Sequence, residues 1–107
     1  ERAELGYPPF ARVALVRLDA EDEGRARDAA SAIARIARDA CADLPVDVLG
    51  PAPAPIPRLR NRFRFRVMLK SAARPALRKV LALLEHERGS LDGRVRIVLD
   101  VDPVSML

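Results

Sequence analysis

Apolar and polar positions along the chain repeat in two different periods, and the switches between them mark out its elements. Residues 12–18, Arg-Val-Ala-Leu-Val-Arg-Leu, are apolar on both faces, with Val13 and Leu15 on one and Ala14, Val16 and Leu18 on the other. That pattern predicts a strand in the middle of a sheet. Asp19 to Glu23 is acidic and suits the start of a helix, where negative charge meets the positive end of the helix dipole. From about Glu21 to Asp43 the period is helical, and Ala26, Ala29, Ala30, Ile33, Ala37, Ala40 and Cys41 form one stripe. Alanine dominates this stripe, so the helix can lie close to whatever it covers. Pro45 closes it. Val46 to Leu49 reads as a short strand. In Gly50 to Pro57 every second residue is proline, which predicts an extended polyproline connector outside any ladder.

The clearest strand is Arg60 to Lys70. It alternates strictly, with Phe63, Phe65, Val67 and Leu69 on one face and Arg60, Arg62, Arg64 and Arg66 on the other. Ser71 to Arg74 is a turn, and Pro75 suits the first turn of a helix. The stripe Leu77, Val80, Leu81 and Leu84 carries that helix to about Glu87, before Gly89 ends it. Asp92-Gly93 is a turn. Arg94 to Val101 is a last strand with Val95, Ile97, Leu99 and Val101 on one face, stopped by Pro103. The order β-α-β-β-α-β is the split layout of ferredoxin-like α+β domains: a four-stranded antiparallel sheet with two helices on one face. The other face is open. The third strand is central in that layout, so Arg62, Arg64 and Arg66 cross the middle of the open face. Arg94 and Arg96 lie toward one edge.

Composition narrows the function. A chain of 107 residues fits one domain, assigned to residues 12–107. Residues 1–11 hold Tyr7-Pro8-Pro9-Phe10, a rigid aromatic-proline segment that suits interdomain docking. The first residue is Glu1 and not Met, which fits a piece of something longer. Lys and Arg number 19 against 15 Asp and Glu, for a net charge of +4, and all these cations but Lys70 and Lys79 are Arg. The single cysteine, Cys41, and the single histidine, His86, leave no internal disulfide, no Cys/His zinc cluster and no Ser-His-Asp triad with a spare base. No apolar run is long enough to span a membrane, and no secretory leader is present, so a cytoplasmic protein is expected. No P-loop or dinucleotide loop occurs.

Like charges two residues apart on one strand face repel. The arginine ladder therefore needs anionic neighbours, for which Asp100 is a candidate, or an external polyanion. Nucleic acid is the favoured partner, since neutralising phosphates releases counterions, though an acidic peptide fits as well. Phe63 and Phe65 share a face with Val67 and Leu69 and are assigned to the core instead of base stacking. Recognition by charge and shape follows. Arg74 and Arg78 are four apart on the second helix with Lys79 beside them, either a second basic site or a solvated face. Asp100 and Asp102 lack a third acid and are read as charge balance, and His86 and Cys41 as structural.

Taken together, the motifs resemble a known family. Arg2 and Gly6-Tyr7-Pro8-Pro9-Phe10 open the chain, the proline segment from Leu49 runs into Arg60-Asn61-Arg62-Phe63-Arg64-Phe65-Arg66, and Leu99-Asp100-Val101-Asp102-Pro103 closes it. The set resembles the C-terminal domain of PriA, the bacterial primosomal protein N′. Asn61 departs from it, standing where that family usually has Gly. The resemblance implies an accessory domain of an ATP-dependent 3′-to-5′ replication-restart DNA helicase, associated with the nucleoid. It implies binding to single-stranded or forked DNA, for which Arg60, Arg62, Arg64, Arg66, Arg94 and Arg96 are the candidates. It further implies binding to the acidic, Phe-ended tail of the single-stranded DNA-binding protein, with Arg74, Arg78 and Lys79 as candidates, and contact with other primosome proteins. Tyr7, Pro8, Pro9 and Phe10 would dock on the helicase core. ATP, Mg and zinc belong to the upstream parts of such a protein, and this piece is expected to need no cofactor and to catalyse nothing. A ligand-sensing regulatory domain of the same topology is the alternative, but it would want glycines where this chain has arginines. An acylphosphatase-like enzyme would need a phosphate-cradling loop where Pro8 and Pro9 lack N–H donors.

Overall fold

The computed structural model describes residues 12–101. Its elements are β1 (Arg12–Ala20), α1 (Glu23–Ala40), β2 (Asp47–Leu59), β3 (Arg62–Ser71), α2 (Arg74–Glu87), a 3-10 turn at Arg88–Ser90 and β4 (Arg96–Val101). One four-stranded sheet has the order β2-β3-β1-β4, with every neighbouring pair antiparallel. This is the α+β split layout expected from the sequence, with β1 and β3 in the centre. Both helices pack on one face, where Val16 and Leu18 of β1, Val67 and Leu69 of β3 and Ile97 of β4 meet Ile33 of α1 and Leu77, Val80 and Leu84 of α2. The α1 stripe is mostly alanine, and Ala26, Ala30 and Ala37 are fully buried. Small side chains let that helix settle close to the sheet.

The ends of the helices have local causes. Asp22 caps α1 by accepting the backbone N–H of Arg25 at 2.9 Å, so the helix starts at Glu23. Asp19 does not belong to that start: β1 runs on through Ala20. At the other end the N–H of Cys41 bonds back to Ala37 O at 2.9 Å, and the helix stops there instead of at Asp43. The Cys41 thiol is held above its ordinary pKa, mainly by burial and then by the Asp47 carboxylate, so it stays protonated and inert at neutral pH. Pro75 lies in the first turn of α2, which has no side-chain cap. Ser71, nearly buried, orders the turn before it: its hydroxyl donates to Pro45 O at 2.7 Å and accepts the N–H of Ala73 at 2.9 Å.

The proline segment corrects the sequence reading. It is not a connector outside the ladder; β2 continues through it to Leu59 and pairs with β3. Alternate residues of a strand send their N–H groups to opposite sides, so prolines at every second position lose N–H groups from one side only. At a sheet edge that side is solvent, and the ladder survives. The pairing is not regular: its register shifts between Leu49 and Ala52 and again between Pro53 and Arg58. Gly50 at the first shift has φ +105°, and a Cβ there would lie 3.0 Å from Arg66 O. Only glycine fits that backbone without strain.

A two-residue hairpin loop joins β2 to β3, closed by the pair Leu59 and Arg62. Its central residues, Arg60 and Asn61, have φ of 54° and 63°. Positive φ at both positions is the geometry of a type I′ turn, in which Asn and Gly are favoured. Arg60 is therefore at a hairpin tip and not in the strand. Phe63 and Phe65 pack against the core, and the Arg58 guanidinium lies 5.0 Å from the centre of the Phe63 ring. The segment Tyr7 to Phe10, with Asp102 and Pro103, lies outside the described residues.

Two substitutions test this packing by urea denaturation. Leu84→Ala removes a fully buried side chain and should lower stability by about 2–5 kcal/mol. Gly50→Ala should lower it by about 1 kcal/mol or more through backbone strain alone.

Candidate nucleic-acid interface

Strand parity decides what reaches the open face. Leu15, Arg17 and Asp19 of β1 stand opposite Met68, Arg66 and Arg64 of β3, and on the other side opposite Asp100, Val98 and Arg96 of β4. Asp19 thus has a cation opposite it on each neighbouring strand. Its Oδ1 accepts from Nε of Arg62, its Oδ2 accepts from Nε of Arg96 at 3.2 Å, and its backbone carbonyl accepts from Nη2 of Arg62 at 3.1 Å. Asp19 is 9% exposed, whereas the Arg96 side chain is 71% exposed. One nearly buried carboxylate therefore holds two arginines from strands on either side of it. Both carboxylate bonds use the Nε of the arginine.

These residues shape a concavity of about 210 Å³ at the hairpin end of the sheet, lined by Arg60, Arg62, Arg64, Arg96, Leu59 and Asp19. Arg60 joins it from the turn, and Arg64 is steadied by a 3.2 Å bond from Nη1 to Ile56 O. Of the other residues expected on this face, Arg66 lies nearer the sheet centre, opposite Arg17. Arg94 is not on a strand: β4 starts at Arg96, and Arg94 sits in the preceding turn with its N–H bonded to Asp92 Oδ1 at 2.9 Å. That bond, together with Arg25 at 2.7 Å, holds the Asp92 carboxyl below the usual carboxylate range. Arg94 is absent from the lining of the concavity. Asp100 pairs with Arg17.

Sequence reasoning missed Asp19 and Arg17. Their signal was present: the alternation that puts Val13 and Leu15 on one face continues to Arg17 within the expected strand, and to Asp19 one residue beyond it. The acidic run starting at Asp19 hid it by resembling a helix start.

A second groove, of about 320 Å³, is lined by Arg74, Leu77, Arg78 and Leu81 of α2, with Arg12 of β1 and Val101 of β4. Arg74 and Arg78 do share a face. Lys79 is exposed but does not line the groove, and Arg12 takes its place because the start of β1 runs beside the end of β4. Among the described residues no cluster of three or more His, Cys, Asp or Glu side chains is placed to hold a metal ion, and no helix is long and apolar enough to cross a membrane.

The model of the primosomal protein N C-terminal domain family matches residues 3–104. The chain belongs to this family. It is 38% identical over 104 residues to a probable replication restart protein PriA from Deinococcus radiodurans, a match that covers 97% of this chain and 11% of that protein. The chain thus spans about a ninth of the length of that relative. Among solved structures it is similar to a de novo designed protein, Foldit4, with a TM-score of 0.65 and 11% identity over 89% of this chain and 99% of the other. That likeness concerns the fold alone. In this member of the family, the open sheet face and the α2 groove are separate basic surfaces on opposite sides of the sheet.

Replacing Asp19 with Ala leaves Arg62 and Arg96 without their shared acceptor. The variant should lose about 1–3 kcal/mol of stability, read from its denaturation midpoint.

Proposed function

We propose that the chain is a non-catalytic module through which a replication-restart helicase holds DNA and a protein partner. The open face grips the phosphates of single-stranded or forked DNA. The observation that carries this reading is the concavity in which Arg60, Arg62, Arg64 and Arg96 surround the single carboxylate of Asp19. Arginines face phosphates with a planar fork of donors, and this cluster is drawn from two strands and a hairpin tip, so its spacing is set by the sheet. The likeness to a replication restart protein supports DNA as the polyanion. Phe63 and Phe65 belong to the core, so binding depends on charge and shape and little on base identity.

The α2 groove suits the acidic, Phe-ended tail of the single-stranded DNA-binding protein. Arg74, Arg78 and Arg12 supply cations for the carboxylates, and Leu77 and Leu81 supply an apolar wall for the ring. The segment Tyr7 to Phe10 would dock the module on the helicase core, which would supply ATP hydrolysis and the zinc site. Other primosome proteins assemble around the same parent.

Fluorescence anisotropy with single-stranded and forked oligonucleotides across a salt series tests the open face. Four neutralised phosphates give a slope of about −3 in log affinity against log salt. Arg62→Ala with Arg64→Ala should flatten it by about 1.4. A slope unchanged by that pair would remove the open face from DNA binding. Arg74→Ala and Arg78→Ala should weaken an acidic Phe-ended peptide and leave the oligonucleotide slope as it is.

A further inference from the structure

One wall of the α2 groove is the end of a strand. Val101, the last residue of β4, lines the groove beside Leu77 and Leu81 and is 57% exposed. It pairs with Ala14, a core residue, so its side chain stands on the helix-covered face. β4 is antiparallel to β1 and therefore runs toward Arg12, which borders the same groove. The chain thus arrives at the groove and continues from its rim. The residues that follow Val101 are Asp102-Pro103-Val104-Ser105-Met106-Leu107. Asp102 brings a carboxylate, and Val104, Met106 and Leu107 bring apolar side chains. The groove offers the complement: Leu77 and Leu81 form its apolar floor, and among the described residues no carboxylate pairs with Arg74 or Arg78. The start of α2 adds positive charge of its own, since it has no acidic residue in its first turn and no side-chain cap. Six extended residues span at most about 20 Å, and a helix rises about 10 Å from Arg74 to Leu81, so the segment is long enough to cover the groove.

We infer that residues 102–107 occupy the α2 groove as a tethered ligand of the chain itself, with the Asp102 carboxylate among the arginines and Val104 and Met106 against Leu77 and Leu81. The inference rests on the reading of the groove as a seat for an acidic, Phe-ended peptide, and it adds the regulation of that seat. Tail and peptide share one chemistry, an anion beside apolar side chains, so each excludes the other. A tether at the rim holds the tail at an effective concentration of about 1 mM. At that concentration, an intrinsic Kd of about 0.1 mM for the tail weakens a competing peptide about tenfold. The groove is therefore closed by default and opens to a partner that binds tightly enough to displace the tail.

The test uses the full chain with its Leu, Val and Met methyl groups labelled for NMR. Nuclear Overhauser contacts from the methyls of Val104 or Met106 to those of Leu77 or Leu81 are expected in the free chain. They should fade when a synthetic acidic peptide ending in Phe is added. Val104→Ser with Met106→Ser leaves β4 and Asp102 in place, and it should bind that peptide about tenfold more tightly by fluorescence anisotropy. Absence of the methyl contacts in the free chain overturns the inference. So do contacts to the groove from the rings of Tyr7 or Phe10 in place of the tail. Equal peptide affinity in the two chains also overturns it and leaves the peptide reading standing. Tail contacts in a chain that binds no peptide do the reverse, and the contacts are read in the wild-type chain, which needs no variant to fold.

Discussion

The carboxylate of Asp19 organises the open face. Four arginine side chains cannot share one end of a small sheet without a counter-charge, because like charges on one strand face repel. Asp19 answers this from β1, between the two strands that carry the cations, and reaches Arg62 on one side and Arg96 on the other. Being nearly buried, it interacts through a medium less polar than water, where each bond counts for more. It neutralises one of the charges it gathers and leaves the others in excess. The same contact that makes the arginine cluster tolerable in the folded chain therefore also fixes where the uncompensated positive charge is presented.

Much of the fold was legible, for a physical reason. Strict alternation in β3 and the leucine stripe of α2 each have one explanation, and both elements fall within a residue or two of where periodicity puts them. The proline segment was misread because a rule about ladders was applied without knowing that β2 is an edge. Edge position is a property of the whole sheet and cannot be seen in thirteen consecutive residues. Arg60 and Arg94 were misplaced by a different error: alternation was carried past the strand ends, into a turn with positive φ and a turn tied by Asp92. Asp19 and Arg17 become a site only through the strand register, which local sequence does not state. Arg12 meets Arg74 and Arg78 because two strands end side by side.

Division of labour between the two faces follows from the layout. With both helices on one side, the sheet buries its aromatic and aliphatic residues there and can give the opposite face to charge. The family match spans nearly the whole chain, while the relative is about nine times longer. Two basic surfaces on opposite sides of one sheet leave each open to an anion whatever covers the other.

The alternate prolines of β2 have a consequence for assembly. A sheet with free edges invites a further strand from another molecule, and an exposed edge is the usual start of unwanted polymerisation. Here one border, with Leu49, Ile56 and Leu59 all about half exposed, would be sticky by composition. At Pro51, Pro53, Pro55 and Pro57 it lacks the N–H donors that a docking strand needs. The prolines thus work as a partial seal that makes this apolar border a poor template for a further strand.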